Sequence, residues 1–104
     1  MAISRALCVL LLLGVVAMST EAIKIETFND LGCNDPPTNT FFVGRNQCQT
    51  FIDQASVRVT EIDTDVRVSF HNQLNCDTAS SVGQGFGPQC RNQGGTKIRG
   101  VFIA

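Results

Sequence analysis

Val66-Arg67-Val68-Ser69-Phe70-His71-Asn72-Gln73-Leu74-Asn75-Cys76 decides the fold. Val66, Val68 and Phe70 alternate with Arg67, Ser69 and His71, the period of a strand with one buried face. That period puts His71 on the solvent side. The strand then enters a polar turn and stops at a cysteine. The same phrase occurs earlier, as Ile23-Lys24-Ile25-Glu26-Thr27-Phe28-Asn29-Asp30-Leu31-Gly32-Cys33. Aligned on Leu-x-Cys, Ile25 falls under Val68, Asn29 under Asn72 and Cys33 under Cys76. Each copy has a second cysteine downstream, Cys48 and Cys90, and closes on β-branched residues. The chain therefore reads as one small domain of two similar halves, about 23–62 and 63–104.

Residues 1–22 stand apart from that domain. Arg5 supplies a positive start, Ala6 to Ala17 is an apolar run, and Thr20-Glu21-Ala22 has small residues where a cut requires them. This predicts a secretory signal cleaved after Ala22. The run is shorter than the roughly 20 residues of a membrane-spanning helix. The expectation is an exported, extracellular protein with no transmembrane segment. The 82 residues from Ile23 onward allow one domain with a thin core.

Cys8 leaves with the signal, so Cys33, Cys48, Cys76 and Cys90 remain. An even count in a short exported chain predicts two disulfides. No C-x-x-C pair favours zinc instead. Four cysteines allow three pairings, and the repeat by itself favours pairing within each half. Charge is near balance from Ile23 onward but uneven. Residues 23–77 carry net −4 and residues 78–104 carry net +3, from Arg91, Lys97 and Arg99. Overall attraction to nucleic acid is excluded by that balance, while a local basic face is not.

Strands are expected at Ile23 to Phe28, Phe41 to Val43, Cys48 to Ile52, Val57 to Thr60, 66–70 and 97–103, with a weaker segment from Phe86 to Cys90. Asn34 to Asn39, with two prolines, is turn material, and Glu61 to Asp65 is an acidic connector. Ser80 to Pro88 holds three glycines around Phe86, which favours a loop over a strand interior. No segment keeps helical spacing. The class is all-β, barrel or sandwich, with Greek-key connections.

Little in the chain points to catalysis. His71 is the sole histidine and has no assigned nucleophile. Asp53, Glu61, Asp63 and Asp65 read as solvated carboxylates rather than a glycosidase pair. Ile52-Asp53-Gln54-Ala55-Ser56-Val57 and Asn92-Gln93-Gly94-Gly95-Thr96-Lys97 keep fragments of a calcium pattern. Ile52, Val57 and Lys97 stand where oxygen ligands are needed, so no metal and no cofactor is expected. There is no Trp and no Tyr. Of seven Phe, only Phe86 is expected to be exposed, and no Asn-x-Ser/Thr sequon occurs.

These stretches resemble a known family. Phe28 to Asn34, ending Leu31-Gly32-Cys33-Asn34, looks like the opening of the macadamia-type plant antimicrobial proteins. Phe70 to Cys76 looks like that family's Tyr-Asn-Gln-x-Gly-Cys segment, and Lys97 to Ile103 is similar to its last strand, Lys-Ser-Ile-Phe-Ile. The likeness covers essentially all of 23–104. It implies a βγ-crystallin-like two-Greek-key domain, not an enzyme, that inhibits fungi and bacteria in plant defence, some relatives acting through wall glucan. Two departures stand out. The family's best-known member is strongly basic and this chain is not, which argues against general membrane disruption. The family has six cysteines. Its extra pair falls at Asn46 and Ala104 here, as though one whole bridge were missing. Carried over by position, its other bridges imply Cys33–Cys90 and Cys48–Cys76.

The resulting expectation is a monomeric antimicrobial protein that binds a microbial cell-wall polysaccharide or anionic surface. Phe86, Arg91, Lys97 and Arg99 are its candidate binding residues. The alternative is an apoplastic effector or signalling module with a protein partner; a glycosidase inhibitor is a third reading.

Overall fold

The computed structural model describes residues 22–94 and 96–104, so the expected signal segment lies outside the described residues apart from Ala22. Eight strands follow one another: β1 Ile23–Phe28, β2 Asn39–Val43, β3 Gln47–Gln54, β4 Ser56–Thr60, β5 Arg67–His71, β6 Ser81–Phe86, β7 Gln89–Asn92 and β8 Ile98–Ile103. A short 3₁₀ turn at Thr78–Ser80 is the only helical element among the described residues. The strands form two antiparallel sheets, sheet A in the order β2-β1-β4-β7 and sheet B in the order β3-β8-β5-β6. The all-β expectation holds.

The third strand of each half leaves its own half. β3 pairs with β8 in sheet B, and β7 pairs with β4 in sheet A. This exchange settles the disulfides. Cys48 rides on β3 into sheet B, where it meets Cys76 of the loop after β5; Cys90 rides on β7 into sheet A, where it meets Cys33 of the loop after β1. The bridges are Cys33–Cys90 and Cys48–Cys76, those implied by the family resemblance. Pairing within each half, which the repeat by itself favours, would have to join opposite sheets.

Alternation supplies the core. Ile23, Ile25, Val57 and Val59 from sheet A face Phe51, Val68, Phe70, Val101 and Ile103 from sheet B, and Ile62 and Val66 of the connector join them. Side chains of period two meet as two inner faces. The two open seams of the sandwich are closed differently. Where β2 meets β3, Phe41 and Phe51 stack with ring centroids 6.0 Å apart. Where β6 meets β7, Arg91 lays its guanidinium over the Phe70 ring, 5.4 Å from the centroid.

The second seam explains why Ser81–Phe86 is a strand and not the expected loop. A Cβ at Gly83 would come within 3.0 Å of Arg91 Nη1, and one at Gly85 within 2.6 Å of Gln89 Oε1. The glycines let β7 side chains cross the inner face of β6. Here glycine marks a close approach, and the ladder to β5 carries the strand.

Candidate functional site

The loops after β1 and β5 fold back over the outer faces of their sheets. In sheet A the Cys33 amide donates to Ser56 Oγ at 3.1 Å. Amides of Gly32, Asn34 and Asp35 donate to the Asp30 carboxylate. The Asn34 amide above all holds that carboxyl below its usual range, with the other amides adding to it against some desolvation. In sheet B the place of Ser56 is taken by Gly100, whose missing Cβ would sit 3.0 Å from the Asn75 carbonyl oxygen. The second loop therefore lies closer to its sheet.

That close cover corrects the expectation for His71. Alternation places the ring on the outer face, as read from the sequence, yet loop 72–80 buries it to 2% exposure. Its Nε2 lies 2.9 Å from Ser69 Oγ and its Nδ1 3.0 Å from Ser80 Oγ, and Ser80 Oγ also reaches Asn75 Oδ1 at 3.0 Å. Burial lowers the imidazole's pKa, partly offset by Asp77. A hydroxyl beside an imidazole is the arrangement of an activated nucleophile. Here, however, β5 runs between β6 and β8, so the amides around Ser69 are held in ladders rather than aimed at a developing oxyanion. The network fixes the imidazole and the loop.

The four residues expected to bind do not form one face. Arg91 points inward from β7, opposite Val57, and donates to the Gln84 carbonyl oxygen and to Gln89 Oε1. Arg99 gives its guanidinium to both oxygens of Asp53 and to the Asn72 carbonyl oxygen. Lys97 is exposed and shares a hollow with Arg99, Asn72, Gln73 and Thr96. Asp53, the one carboxylate in the first calcium-like stretch, is thus engaged by a cation of the chain itself. The hydrogen bond from Arg99 holds its carboxyl below the usual range, with charge adding to it. Phe86 is exposed, 64%, and lies directly across from Arg67 on β5.

Arg67 leads to the site that the sequence reading missed. The outer face of sheet B is a groove of about 560 Å³. Arg67, Ser69 and His71 of β5 form its floor, with Phe102 of β8 on one side and Ser81 and Gln84 of β6 on the other; Cys76 and Thr78 stand at its rim. Register fixes the rows: Arg67 opposes Phe86, and Ser69 sits between Gln84 and Phe102.

Sheet A shows what this face looks like when closed. The equivalent of Ser69 and Phe102 is Glu26 and Arg58, paired across β1 and β4. Arg58 Nε donates to Glu26 Oε1 at 3.1 Å, and the guanidinium also covers the Phe28 ring at 5.2 Å. Lys24, at the position of Arg67, lies 3.9 Å from Glu26. On sheet B the bridging pair is gone and its space is open. Phe86 is exposed as expected, but Phe42, opposite Lys24, is exposed as well, at 61%, while Phe41 and Phe102 are half-buried, Phe102 at the groove. No known family, curated protein or solved structure matches the chain.

Proposed function

We propose that this is a secreted plant-type defence protein that slows microbial growth by holding a surface polysaccharide in the groove of sheet B. The observation that carries the reading is the replacement of the Glu26–Arg58 pair by Ser69 and Phe102. It turns a face closed by its own ion pair into one with a half-exposed ring and uncharged polar groups. Ser69, Ser81, Thr78 and Gln84 supply short hydrogen-bonding groups of the kind sugar hydroxyls use, and Phe102 supplies an apolar surface for a ring face. Two disulfides fit the oxidising compartment that secretion requires. Among the described residues no helix is long and apolar enough to cross a membrane.

Membership of the macadamia-type family is part of the proposal. Its support is the sequence likeness, the two cross-half bridges, and a relation between two residues. Asn46 and Ala104, where that family's third bridge would lie, are neighbours: the Asn46 amide donates to the Ile103 carbonyl oxygen at 2.6 Å.

The test pairs a growth-inhibition assay with binding to insoluble wall polysaccharide, for the native protein and for Phe102→Ala. Native protein that inhibits growth and sediments with the polysaccharide, with Phe102→Ala losing both, is the expected result. The effector reading has its own support in exposed apolar side chains outside the groove, Ile52 at 84% and Leu74 at 66%. Inhibition absent and polysaccharide unbound, with function lost on replacing Ile52 or Leu74 by Ser, would favour it.

A further inference from the structure

Among the described residues the groove carries one full charge, and that charge has no partner among them. Arg67 is exposed, and among the described residues its guanidinium makes no ion pair and no hydrogen bond. Every other arginine among them is engaged: Arg45 with the Ala104 carbonyl oxygen, Arg58 with Glu26, Arg91 with the Gln84 carbonyl oxygen, and Arg99 with Asp53. Among the described residues, no Asp or Glu lines the groove. The reason lies one residue pair away. On sheet A the cation at this position, Lys24, has Glu26 beside it; on sheet B the same step along the strand ends at Ser69.

We infer that the groove takes an acidic polysaccharide, whose uronate carboxylate meets Arg67 while a neighbouring neutral sugar lies against Phe102 and Ser69. The inference rests on the polysaccharide reading given above. A guanidinium is a planar fork matched to a planar carboxylate, and charge-assisted pairs of this kind are about twice as strong as neutral ones. A ligand carboxylate would replace the one that Ser69 lacks. The number of cations also sets the spacing of ligand charge. One arginine suits a chain in which acids alternate with neutral sugars. A dense polyanion would set its further charges against the acidic connector, Glu61, Asp63 and Asp65, which leads directly into β5.

Calorimetric titration separates the possibilities. The probes are an oligosaccharide of alternating glucuronate and neutral sugars, the same oligosaccharide with its carboxylates reduced to alcohols, and inorganic polyphosphate. Native protein should bind the acidic oligosaccharide about tenfold or more tightly than the reduced one. Arg67→Gln should bind the two alike, with an unchanged urea midpoint. Lys24→Gln, which removes the same charge from the other sheet, should keep the preference. Equal binding of both oligosaccharides by the native protein, or a preference that survives Arg67→Gln, would overturn the acidic ligand and leave a neutral polysaccharide in place. Tighter binding of polyphosphate would overturn it in favour of charge density. If neither oligosaccharide binds the native protein, the polysaccharide reading itself fails and this inference falls with it.

Discussion

The outer faces of sheets A and B are built on equivalent strands and covered by equivalent loops, yet one is finished and the other is open. On sheet A, Lys24, Glu26 and Arg58 satisfy one another and Arg58 caps Phe28. On sheet B, Arg67, Ser69, Phe102 and His71 occupy the same places and leave a groove. One face serves as an internal control for the other. Whatever the scaffold needs for stability is met on both. What differs, the missing carboxylate, the ring in place of a guanidinium and the buried imidazole in place of a phenyl ring, is what function can be read from.

The largest expected effect breaks the feature that the two faces share. Replacing both cysteines of a bridge by Ala should cost about 4 kcal/mol for Cys33–Cys90, whose loop spans 57 residues, and about 3.6 kcal/mol for Cys48–Cys76, spanning 28, on the chain-entropy account. Urea unfolding of the two double variants would check both the size and the order. Next comes the contact between loop and sheet. Gly100→Ser puts onto sheet B the residue that sheet A has at Ser56, but under a loop that sits too close. A loss of about 1–3 kcal/mol is expected, whereas Ser56→Gly should instead cost the hydrogen bond to the Cys33 amide, about 1 kcal/mol.

The comparison can also be transplanted. Ser69→Glu with Phe102→Arg rebuilds the sheet A pair on sheet B. Stability should fall by about 1–2 kcal/mol, since the new ion pair contributes little while His71 Nε2 loses its Ser69 partner, and polysaccharide binding should be abolished in a sedimentation assay. Retained binding would show that the groove is not the site. The smallest effect concerns pH. His71 has a lowered pKa, so the unfolded chain takes up a proton that the folded chain resists. Its contribution is fully present above the ordinary value of 6.5 and is lost as pH falls below that value toward the folded pKa. His71→Phe, the sheet A residue, should remove this part of the acid sensitivity, seen as a smaller drop in urea midpoint between pH 7.5 and pH 5.

The strands with one clean apolar face were legible from residue order. Ile23-x-Ile25 and Val66-x-Val68-x-Phe70 carry a period that only a half-buried strand needs. Ser81–Phe86 is not, because its glycines answer to Gln89 and Arg91, which are near in sequence but stand on β7 of the other sheet and reach it only across the seam. The inward turn of Arg91 is hidden for the same reason. A charge on an edge strand reads as solvent-facing until the facing strand is seen to have no side chains in its way. The open face left a faint trace that the alignment of the halves already contained. Glu26 falls under Ser69, and a lost carboxylate beside a retained cation is visible without coordinates. What sequence alone withholds is the partner of that carboxylate, since Arg58 and Phe102 become equivalent only through the pairing of β4 with β1 and β8 with β5.

The traded strands have a consequence for how the molecule comes into being. A half-chain on its own would lack one strand of its sheet and hold two cysteines that cannot reach each other within that sheet. Its natural remedy would be a second copy lending the missing strand, which is the geometry of a domain-swapped homodimer. The present chain has the geometry of such a dimer with its two subunits joined, and its halves differ in that one carries the ion pair and the other does not. The same trade delays maturation. Cys33 emerges early in synthesis but waits for Cys90, 57 residues later. Until the last strands arrive, the thiols of the first half stay unpaired and, in an oxidising environment, are exposed to wrong exchange.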